Sequence, residues 1–182
     1  MDIFLVRHGE AAAKWGQAAD PGLSELGKEQ AQTAAQALQG RLAEDVQLVS
    51  SPLARARDTA QPLASMLQLP VHINDAFREI AAPVPLSERQ AWLRQFMQQR
   101  WDEQPESLRH WRQRAVTQLL EMQHPAVVYT HFLVINAVVG HILAAAATLH
   151  FWPENASITH LRSNGQGLEL VKLGAQMPTV VN

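Results

Sequence analysis

The most constraining feature of the sequence is an apolar run that ends abruptly in charged and hydrogen-bonding residues. Residues 3–6 (Ile-Phe-Leu-Val) are continuously apolar, which is typical of a parallel strand buried on both faces. Arg7, His8, Gly9 and Glu10 follow directly. Because ligands in open α/β sheets bind beyond the carboxyl ends of the strands, we expect Arg7 and His8 to face a ligand site. The alternative is a strand that ends in ordinary solvent-exposed polar residues.

Predicted strands and helices alternate along the chain, which indicates a three-layer α/β fold with a mainly parallel central sheet and helices on both faces. Strands are predicted at 46–50, 71–73 and 126–130, and helices at 24–42 and 53–67. Ser24 is the predicted cap of the first helix. The predicted buried side of that helix consists of Leu26, Ala31, Ala34, Ala35, Leu38 and Leu42. Pro62 is expected to kink or divide the second helix.

The segment from about 81 to 123 interrupts this alternation and is expected to form a short helical cap. Pro83, Pro85 and Pro105 bracket a helical run, and Ser107 is expected to cap the next helix. The segment carries Arg89, Arg94, Arg100, Arg109, Arg112 and Arg114. These arginines either surround a substrate opening or form a solvated helix face, and the second interpretation is the more common one.

Residues 132–152 contain no charged side chain, so a membrane span has to be considered. Asn136, Gly140, His141 and His150 interrupt the segment, and no basic loop or pair of aromatic belts flanks it. A buried helix is therefore the better interpretation. Beyond it, 157–162 and 168–173 alternate as two strands of a hairpin around 163–167.

The composition limits the class of protein and of partner. A chain of 182 residues with 47% hydrophobic residues suits one globular domain, so 1–182 is predicted to be a single domain. A formal net charge of -2 argues against nucleic acid or an anionic membrane as the main partner. The chain has no cysteine, and residues 1–2 lead directly into the first strand without a secretory signal. We expect a cytoplasmic protein; the sequence does not indicate an oligomeric state.

Three predicted strand ends carry residues whose chemistry is complementary. Arg7 and His8 end the first strand, Ser51-Pro52 leads from the second to Arg55, and His131 follows the fourth. Two guanidinium groups bind phosphate oxygens bidentately, and a neutral imidazole can attack phosphorus. The set therefore indicates phosphoryl transfer without a metal or cofactor. No histidine spacing typical of a metal site and no glycine-rich phosphate loop is present.

The chain resembles the histidine phosphatase superfamily, also called the phosphoglycerate mutase-like family, along nearly its whole length. The segments that carry the resemblance are 5–10 (LVRHGE), 22–31 (GLSELGKEQA), 51–56 (SPLARA) with Thr59-Ala60, 77–80 (FREI) and 128–131 (VYTH). Each is short, but their order and intervals together are specific. The resemblance implies a phosphoglycerate mutase-like fold.

The resemblance also implies roles for five residues. The family's nucleophile corresponds to His8, and its phosphate-binding arginines correspond to Arg7 and Arg55. The second histidine, which contacts the transferring phosphate, corresponds to His131. Glu79 matches the acid that protonates the leaving oxygen in many members; the alternative is a surface acid paired with the arginine before it.

The sequence departs from the family's pattern at three places. Many mutase-type members have a phosphate-binding asparagine shortly after the nucleophile, whereas here residues 11–13 are alanines, followed by Lys14. Phe132 stands where a glycine usually follows the second histidine. Residues 81–85 (AAPVP) replace the usual sequence of the specificity region, so the resemblance does not imply a substrate.

The expected function is hydrolysis of a phosphate monoester or of phosphohistidine through a phosphohistidine intermediate on His8. The substrate is either a small phosphate ester or a phosphoprotein. One alternative is a phosphoglycerate mutase-type phosphomutase, disfavoured by the short cap and the missing asparagine. Another is a non-catalytic protein that binds a phosphorylated ligand, for which Phe132 is the only indication.

Overall fold

A computed structural model describes residues 1–14 and 17–178. Its centre is one six-stranded sheet in the order β3-β2-β4-β1-β5-β6. The strands are β1 (Asp2–Arg7), β2 (Gln47–Ser50), β3 (Val71–Ile73), β4 (Ala126–Thr130), β5 (Ile158–Ser163) and β6 (Leu168–Lys172). β3, β2, β4 and β1 pair in parallel, and β5 pairs antiparallel with both β1 and β6. The predicted α/β fold with a mainly parallel sheet is confirmed.

Helices cover both faces of the sheet. Successive side chains of β1 point to opposite sides, and because all of them are apolar at residues 3–6, both faces have to be buried. The helices are α1 (Glu25–Gln39), α2 (Ala54–Leu67), α3 (Arg89–Phe96), α4 (Glu106–Leu120) and α5 (Phe132–Ile142). Phe4 and Val6 pack in the core formed with α1 and α2. Ile3 and Leu5 pack in the opposite core with α4 and α5. The result is the predicted three-layer arrangement.

Helix α1 begins as expected, but it is shorter than the predicted helix and its buried face is narrower than the predicted one. The Ser24 side chain accepts a hydrogen bond from the Gly27 amide at 3.0 Å, which caps the helix. The helix ends at Gln39 rather than at Leu42, with Gly40 as its cap. Leu26 is 49% exposed, which corrects its assignment to the buried side. The buried stripe runs through Gly27, Ala31, Ala34, Ala35 and Leu38, so Leu26 lies at its edge.

The prolines at α2 and α4 do not have the effects that the sequence predicts. Helix α2 continues from Ala54 to Leu67 with Pro62 inside it, so the proline does not divide it. The cap of α4 is Pro105 rather than Ser107, and the helix begins at Glu106. Pro105 has φ -61° and ψ 157°, and its missing N–H removes a donor that a helix start leaves unpaired.

The segment that follows Glu79 forms short helices that pack against α5. Three-residue 3₁₀ helices at Leu86–Glu88 and Trp101–Glu103 flank α3. Leu93, Phe96 and Trp101 are buried in a third apolar cluster together with Phe132 of α5. The single domain over 1–182 and the cap bounds of about 81–123 stay predictions.

The uncharged segment 132–152 contains a helix of about half the expected length. Helix α5 ends at Ile142, and Ala144 then adopts a positive φ of 50°, which the right-handed helix does not accommodate. Nine of its eleven residues are buried, from Phe132 to Gly140. Throughout residues 1–14 and 17–178, no helix has the length and hydrophobicity needed to cross a membrane.

Candidate active site

The carboxyl ends of β1, β2 and β4 deliver the candidate residues to one edge of the sheet. The backbone amide of His8 donates to the Thr130 carbonyl at 3.0 Å, and that of Ser51 donates to the Tyr129 carbonyl at 2.9 Å. The backbone at the three strand ends is therefore in hydrogen-bonded register. His8 and His131 come directly after β1 and β4, and the centroids of their rings lie 5.3 Å apart.

The imidazole of His8 has a defined orientation and protonation. Its Nδ1 lies 2.7 Å from the Gly9 carbonyl oxygen, and the Arg55 Nε–H donates to its Nε2 at 3.2 Å. A carbonyl only accepts, so we assign the proton to Nδ1 and the lone pair to Nε2. Burial, followed by the charges of Arg55 and Arg7, holds the pKa of His8 well below 6.5. At neutral pH His8 is thus a neutral imidazole suited to nucleophilic attack.

The guanidinium groups of Arg7 and Arg55 both lie near enough to His8 to lower its pKa. Arg7 donates from Nη1 to the Pro153 carbonyl at 2.8 Å and lies over the Phe132 ring, 5.2 Å from its centroid. Its Nε is buried and has no hydrogen-bond partner among the described residues. Burial lowers the pKa of Arg7 to about 10, so the group is still charged at neutral pH. Arg7 and Arg55 are both buried, at 9% and 5% exposure, so a bound oxyanion would meet little competing water.

Hydrogen bonds fix Arg55 and the loop after β1 relative to each other. The Gly9 amide donates to the Thr59 hydroxyl at 2.9 Å, and that hydroxyl donates to the Arg55 carbonyl at 2.6 Å. Thr59 therefore connects α2 to the residue after His8. It belongs to a segment quoted for the family resemblance, but we did not predict this role from the sequence.

His131 is fully buried beside His8. Its Nε2 lies 2.7 Å from the Ser51 hydroxyl, whereas its Nδ1 has no partner among the described residues. Burial lowers its pKa well below 6.5, and so do competition with the adjacent His8 ring for a proton and the charge of Arg55. With Nε2 occupied by Ser51, Nδ1 is the ring nitrogen whose hydrogen-bonding position is unused among the described residues.

The carboxylate of Glu79 is buried, at 6% exposure, and is held by backbone amides. Ile80 donates to Oε1 at 3.0 Å, and Leu133, in the first turn of α5, donates to Oε2 at 3.1 Å. Burial raises its pKa although both hydrogen bonds oppose the shift. Glu79 is not a surface acid paired with Arg78, because Arg78 pairs with Asp75 at 2.7 Å.

Two adjoining cavities open beside His8. The smaller, of about 30 Å³, is lined by residues that include Lys14, Arg55 and Arg89. The larger, of about 590 Å³, is lined by Arg7, Glu10, Gln17, Gln90 and Asn155 among others. His8, Ala11, Ala13 and Lys14 border both cavities, so His8 is accessible from each. The described residues contain no cluster of three or more acidic, histidine or cysteine side chains that could hold a metal ion.

The sequence reasoning missed Asn155 and did not distinguish Arg89 from the other cap arginines. Asn155 lines the larger cavity, and its Oδ1 is buried without a partner among the described residues. The flanking backbone holds it near β1, because Ala156 donates to the His8 carbonyl at 3.2 Å. No sequence signal identifies Asn155, since its position depends on how the chain returns to β5.

The sequence establishes the family. Residues 3–176 match the histidine phosphatase superfamily (branch 1), and the chain belongs to that family. No curated protein matches the chain.

Solved structures of phosphatases share this fold over nearly the whole chain. A mycobacterial glucosyl-3-phosphoglycerate phosphatase is 26% identical with a TM-score of 0.74, covering 97% of this chain and 99% of that one. A putative α-ribazole-5′-P phosphatase from Escherichia coli is 25% identical with a TM-score of 0.73, covering 96% and 97%. Phosphoserine phosphatase from Entamoeba histolytica in complex with 3-phosphoglyceric acid is 23% identical with a TM-score of 0.74, covering 97% and 98%, and shows likeness of fold alone.

Proposed function

We propose that this histidine phosphatase hydrolyses a phosphate monoester, or phosphohistidine, without a metal ion, through a phosphohistidine intermediate on His8. The observation that carries the proposal is the state of the His8 ring. Its Nδ1–H is fixed by the Gly9 carbonyl, and its Nε2 lone pair lies 3.2 Å from the guanidinium of Arg55. A neutral nucleophile beside a phosphate-binding cation is the arrangement that in-line attack on phosphorus requires.

In the first step, Nε2 of His8 attacks phosphorus while the bond to the leaving oxygen breaks. Arg7, Arg55 and His131 hydrogen-bond the equatorial oxygens, where charge is spread in the transition state. Glu79 donates its proton to the leaving oxygen, and its raised pKa favours the protonated form that this role needs.

In the second step, a water molecule attacks the phosphorus of phosphohistidine. The carboxylate of Glu79, now deprotonated, accepts a proton from that water. The nitrogen–phosphorus bond breaks, the lone pair returns to Nε2, and inorganic phosphate leaves. The protein ends in its starting protonation state.

The relatives support the reaction class. The mycobacterial and Escherichia coli structures are named as phosphatases of different phosphate esters. Family membership together with these names supports hydrolysis of a phosphate ester in general. The individual substrate depends on the residues that line the two cavities.

The test is hydrolysis of p-nitrophenyl phosphate in excess chelator by the wild type, His8→Ala and His110→Ala. His110 lies on an exposed part of α4 and serves as the matched control. We expect the wild type and the control to release phosphate, and His8→Ala to lose at least about 10³-fold in kcat. An acid-labile phosphoryl label should form on the wild type and not on His8→Ala.

Other outcomes would indicate a different function. Return of the label to an acceptor ester without free phosphate would favour a phosphomutase. Binding of phosphate with no turnover of a broad panel of esters would favour a non-catalytic ligand-binding protein. Loss of activity in chelator that is restored by a metal ion would contradict the proposed metal independence.

A further inference from the structure

Asn136 is a polar residue of α5 whose side chain is only 1% exposed. Its Nδ2 donates to the Phe132 carbonyl at 3.0 Å. Its Oδ1 accepts from the backbone amides of His150 and Phe151, at 2.7 and 3.0 Å. This single buried amide group therefore ties the first turn of α5 to the chain segment that follows the helix.

The segment after α5 has no helix or strand to fix its position. The described chain contains neither between the end of α5 at Ile142 and the start of β5 at Ile158. Backbone hydrogen bonds join residues 152–154 to residues 175–177. The two hydrogen bonds to Asn136 attach residues 150–151 to α5, so they hold this part of the segment against a rigid element.

The carbonyl of Pro153 lies two residues beyond this attachment and is the acceptor for Arg7. The Nη1 of Arg7 donates to it at 2.8 Å. Phe132, which Asn136 also contacts, places its ring 5.2 Å from the guanidinium carbon of Arg7. Asn136 is thus bonded to a residue that packs on the guanidinium and to the segment that supplies its carbonyl acceptor.

The Pro153 carbonyl determines which donors of Arg7 are left for a ligand. A guanidinium group carries five N–H donors in one rigid plane. Because Nη1 is bonded to the carbonyl, the edge formed by Nε and Nη2 is left, and the buried Nε has no partner among the described residues. Such an edge can bind two phosphate oxygens bidentately. A displaced carbonyl would turn this edge away from a phosphoryl group beside His8.

We propose that Asn136 is a positioning residue for Arg7. Its side-chain amide fixes the Pro153 carbonyl and thereby the edge of the guanidinium that faces the phosphate. An asparagine that only paired with buried backbone groups would contribute to stability and leave ligand binding unchanged. The inference rests on the proposed function, since it takes Arg7 as a phosphate ligand.

The test is the dissociation constant of inorganic phosphate, measured by NMR titration of the folded protein. We expect Asn136→Ala to weaken phosphate binding about tenfold, because a binding group misplaced by about 1 Å loses much of its effect. Thr148→Val is the matched control, since Thr148 is also 1% exposed and its hydroxyl donates to the Phe96 carbonyl from the same segment. The control should lose stability and keep the wild-type dissociation constant, which refers to folded molecules only.

A double-mutant cycle determines whether Asn136 acts through Arg7. Arg7→Lys keeps a cation but has no fork whose orientation the carbonyl could set. In that background Asn136→Ala should change the dissociation constant by less than about threefold, so the two effects are not additive. Equal weakening in both backgrounds would overturn the proposal. A wild-type constant in Asn136→Ala, or an equal loss in Thr148→Val, would also overturn it.

A second variant covers the case in which Asn136→Ala does not fold. A helical serine can bond to the carbonyl four residues earlier, here that of Phe132, but it lacks the acceptor that holds His150 and Phe151. Asn136→Ser should therefore weaken phosphate binding as Asn136→Ala does. An unchanged constant in folded Asn136→Ser would contradict the positioning role.

Failure of the proposed function would be visible separately. The Nε–H of Arg7 gives its own signal in a ¹H–¹⁵N spectrum, which is assigned by its loss in Arg7→Lys. Without any ligand, this signal should move in Asn136→Ala and stay in place in Thr148→Val. If the wild type binds no phosphate, the proposed function fails, and this signal still decides the inference: a shift supports the positioning role, and an unchanged signal overturns it.

Discussion

Phe132 contacts the guanidinium group of Arg7, the proposed phosphate ligand, although it replaces a residue that is usually glycine in the family. Its ring lies 5.2 Å from the Arg7 guanidinium carbon and is itself contacted edge-on by Trp152, at 5.3 Å between centroids. The ring is 1% exposed, so it is a fixed support. We infer that Phe132 orients Arg7 through a cation–π contact rather than blocking the site.

Phe132→Leu should weaken the binding of inorganic phosphate about fivefold, since a partly desolvated cation–π contact is worth about 1 kcal/mol. The measurement is the inhibition constant of phosphate against p-nitrophenyl phosphate. Phe96→Leu is the matched control, because Phe96 belongs to the same buried cluster and packs against Trp92 and Trp101. Equal inhibition constants for the two variants would show that Phe132 does not act through Arg7.

The positions of the five candidate site residues were predictable because each residue follows directly from a strand or lies in a short local motif; their roles stay predictions. Arg7, His8 and His131 end strands, so the parallel sheet alone brings them to one edge. Arg89 and Asn155 were not predictable in this way. Their positions depend on the path of the cap and of the chain after α5, which local patterns do not specify.

At the level of elements, two glycines determine how closely α1 approaches the loop after β1. A Cβ on Gly9 would lie 2.5 Å from the Gly27 carbonyl oxygen, and a Cβ on Gly27 would overlap the Glu10 carbonyl. The neighbouring Ser24 hydroxyl donates to the Glu10 carboxylate at 2.8 Å. The helix and the residues after His8 therefore pack backbone against backbone, and a side chain larger than hydrogen is excluded at either position.

Gly27→Ala should lower the free energy of unfolding by at least about 2 kcal/mol, because the overlapping atoms are backbone and cannot rotate away. Gly40→Ala is the control, since no atom lies within 4 Å of the Cβ it would add. That variant should be more stable than the wild type by about 0.4–1 kcal/mol, because the φ of -92° at this position suits alanine. Urea unfolding of both variants tests the contact, and similar midpoints for the two would contradict it.

Secondary structure was predictable to the extent that local chemistry fixes it. The strands and the Ser24 cap follow from apolar runs and a capping side chain. The end of α5 does not, because residues 143–152 remain uncharged and mostly apolar after the helix has ended. The start of α4 was also predicted wrongly. Ser107 is a typical capping residue, but Pro105, two residues earlier, already caps the helix.

At the level of the whole molecule, the two buried histidines of the candidate site make the free energy of unfolding depend on pH. His8 and His131 are buried as neutral rings, and burial lowers both pKa values well below 6.5. The unfolded chain binds protons at these histidines near pH 6.5, whereas the folded chain does not. Their contribution to stability is therefore complete above pH 6.5 and is lost as the pH falls below it.

The free energy of unfolding should fall by about 2 kcal/mol between about pH 6.5 and 5.5, from two histidines that differ in proton binding. Glu79 acts in the opposite direction, since its raised pKa contributes stability that is present at low pH and lost as the pH rises through its folded value. Urea unfolding across this range measures the slope. His131→Gln should give about half the wild-type slope, and an unchanged slope would exclude the buried histidines as the cause.

The strand order β3-β2-β4-β1-β5-β6 is a property of the whole molecule that the sequence did not specify. Alternating strands and helices predict a parallel sheet, but not that β1 lies between β4 and β5. That central position makes β1 inaccessible from either sheet edge, and it places β4, which leads to His131, between β1 and the strand β2 that leads to Arg55.

Arg55 Nε, which in the proposed reaction binds a phosphate oxygen, donates in the free protein to the lone pair of His8. In the proposed reaction, binding of the phosphate and release of the His8 lone pair would therefore be a single event. An incoming oxyanion attracts the guanidinium to itself and exposes Nε2 as it arrives. An uncharged electrophile would meet a nitrogen that is already occupied, so this hydrogen bond would keep the proposed nucleophile unreactive until an anionic ligand is present.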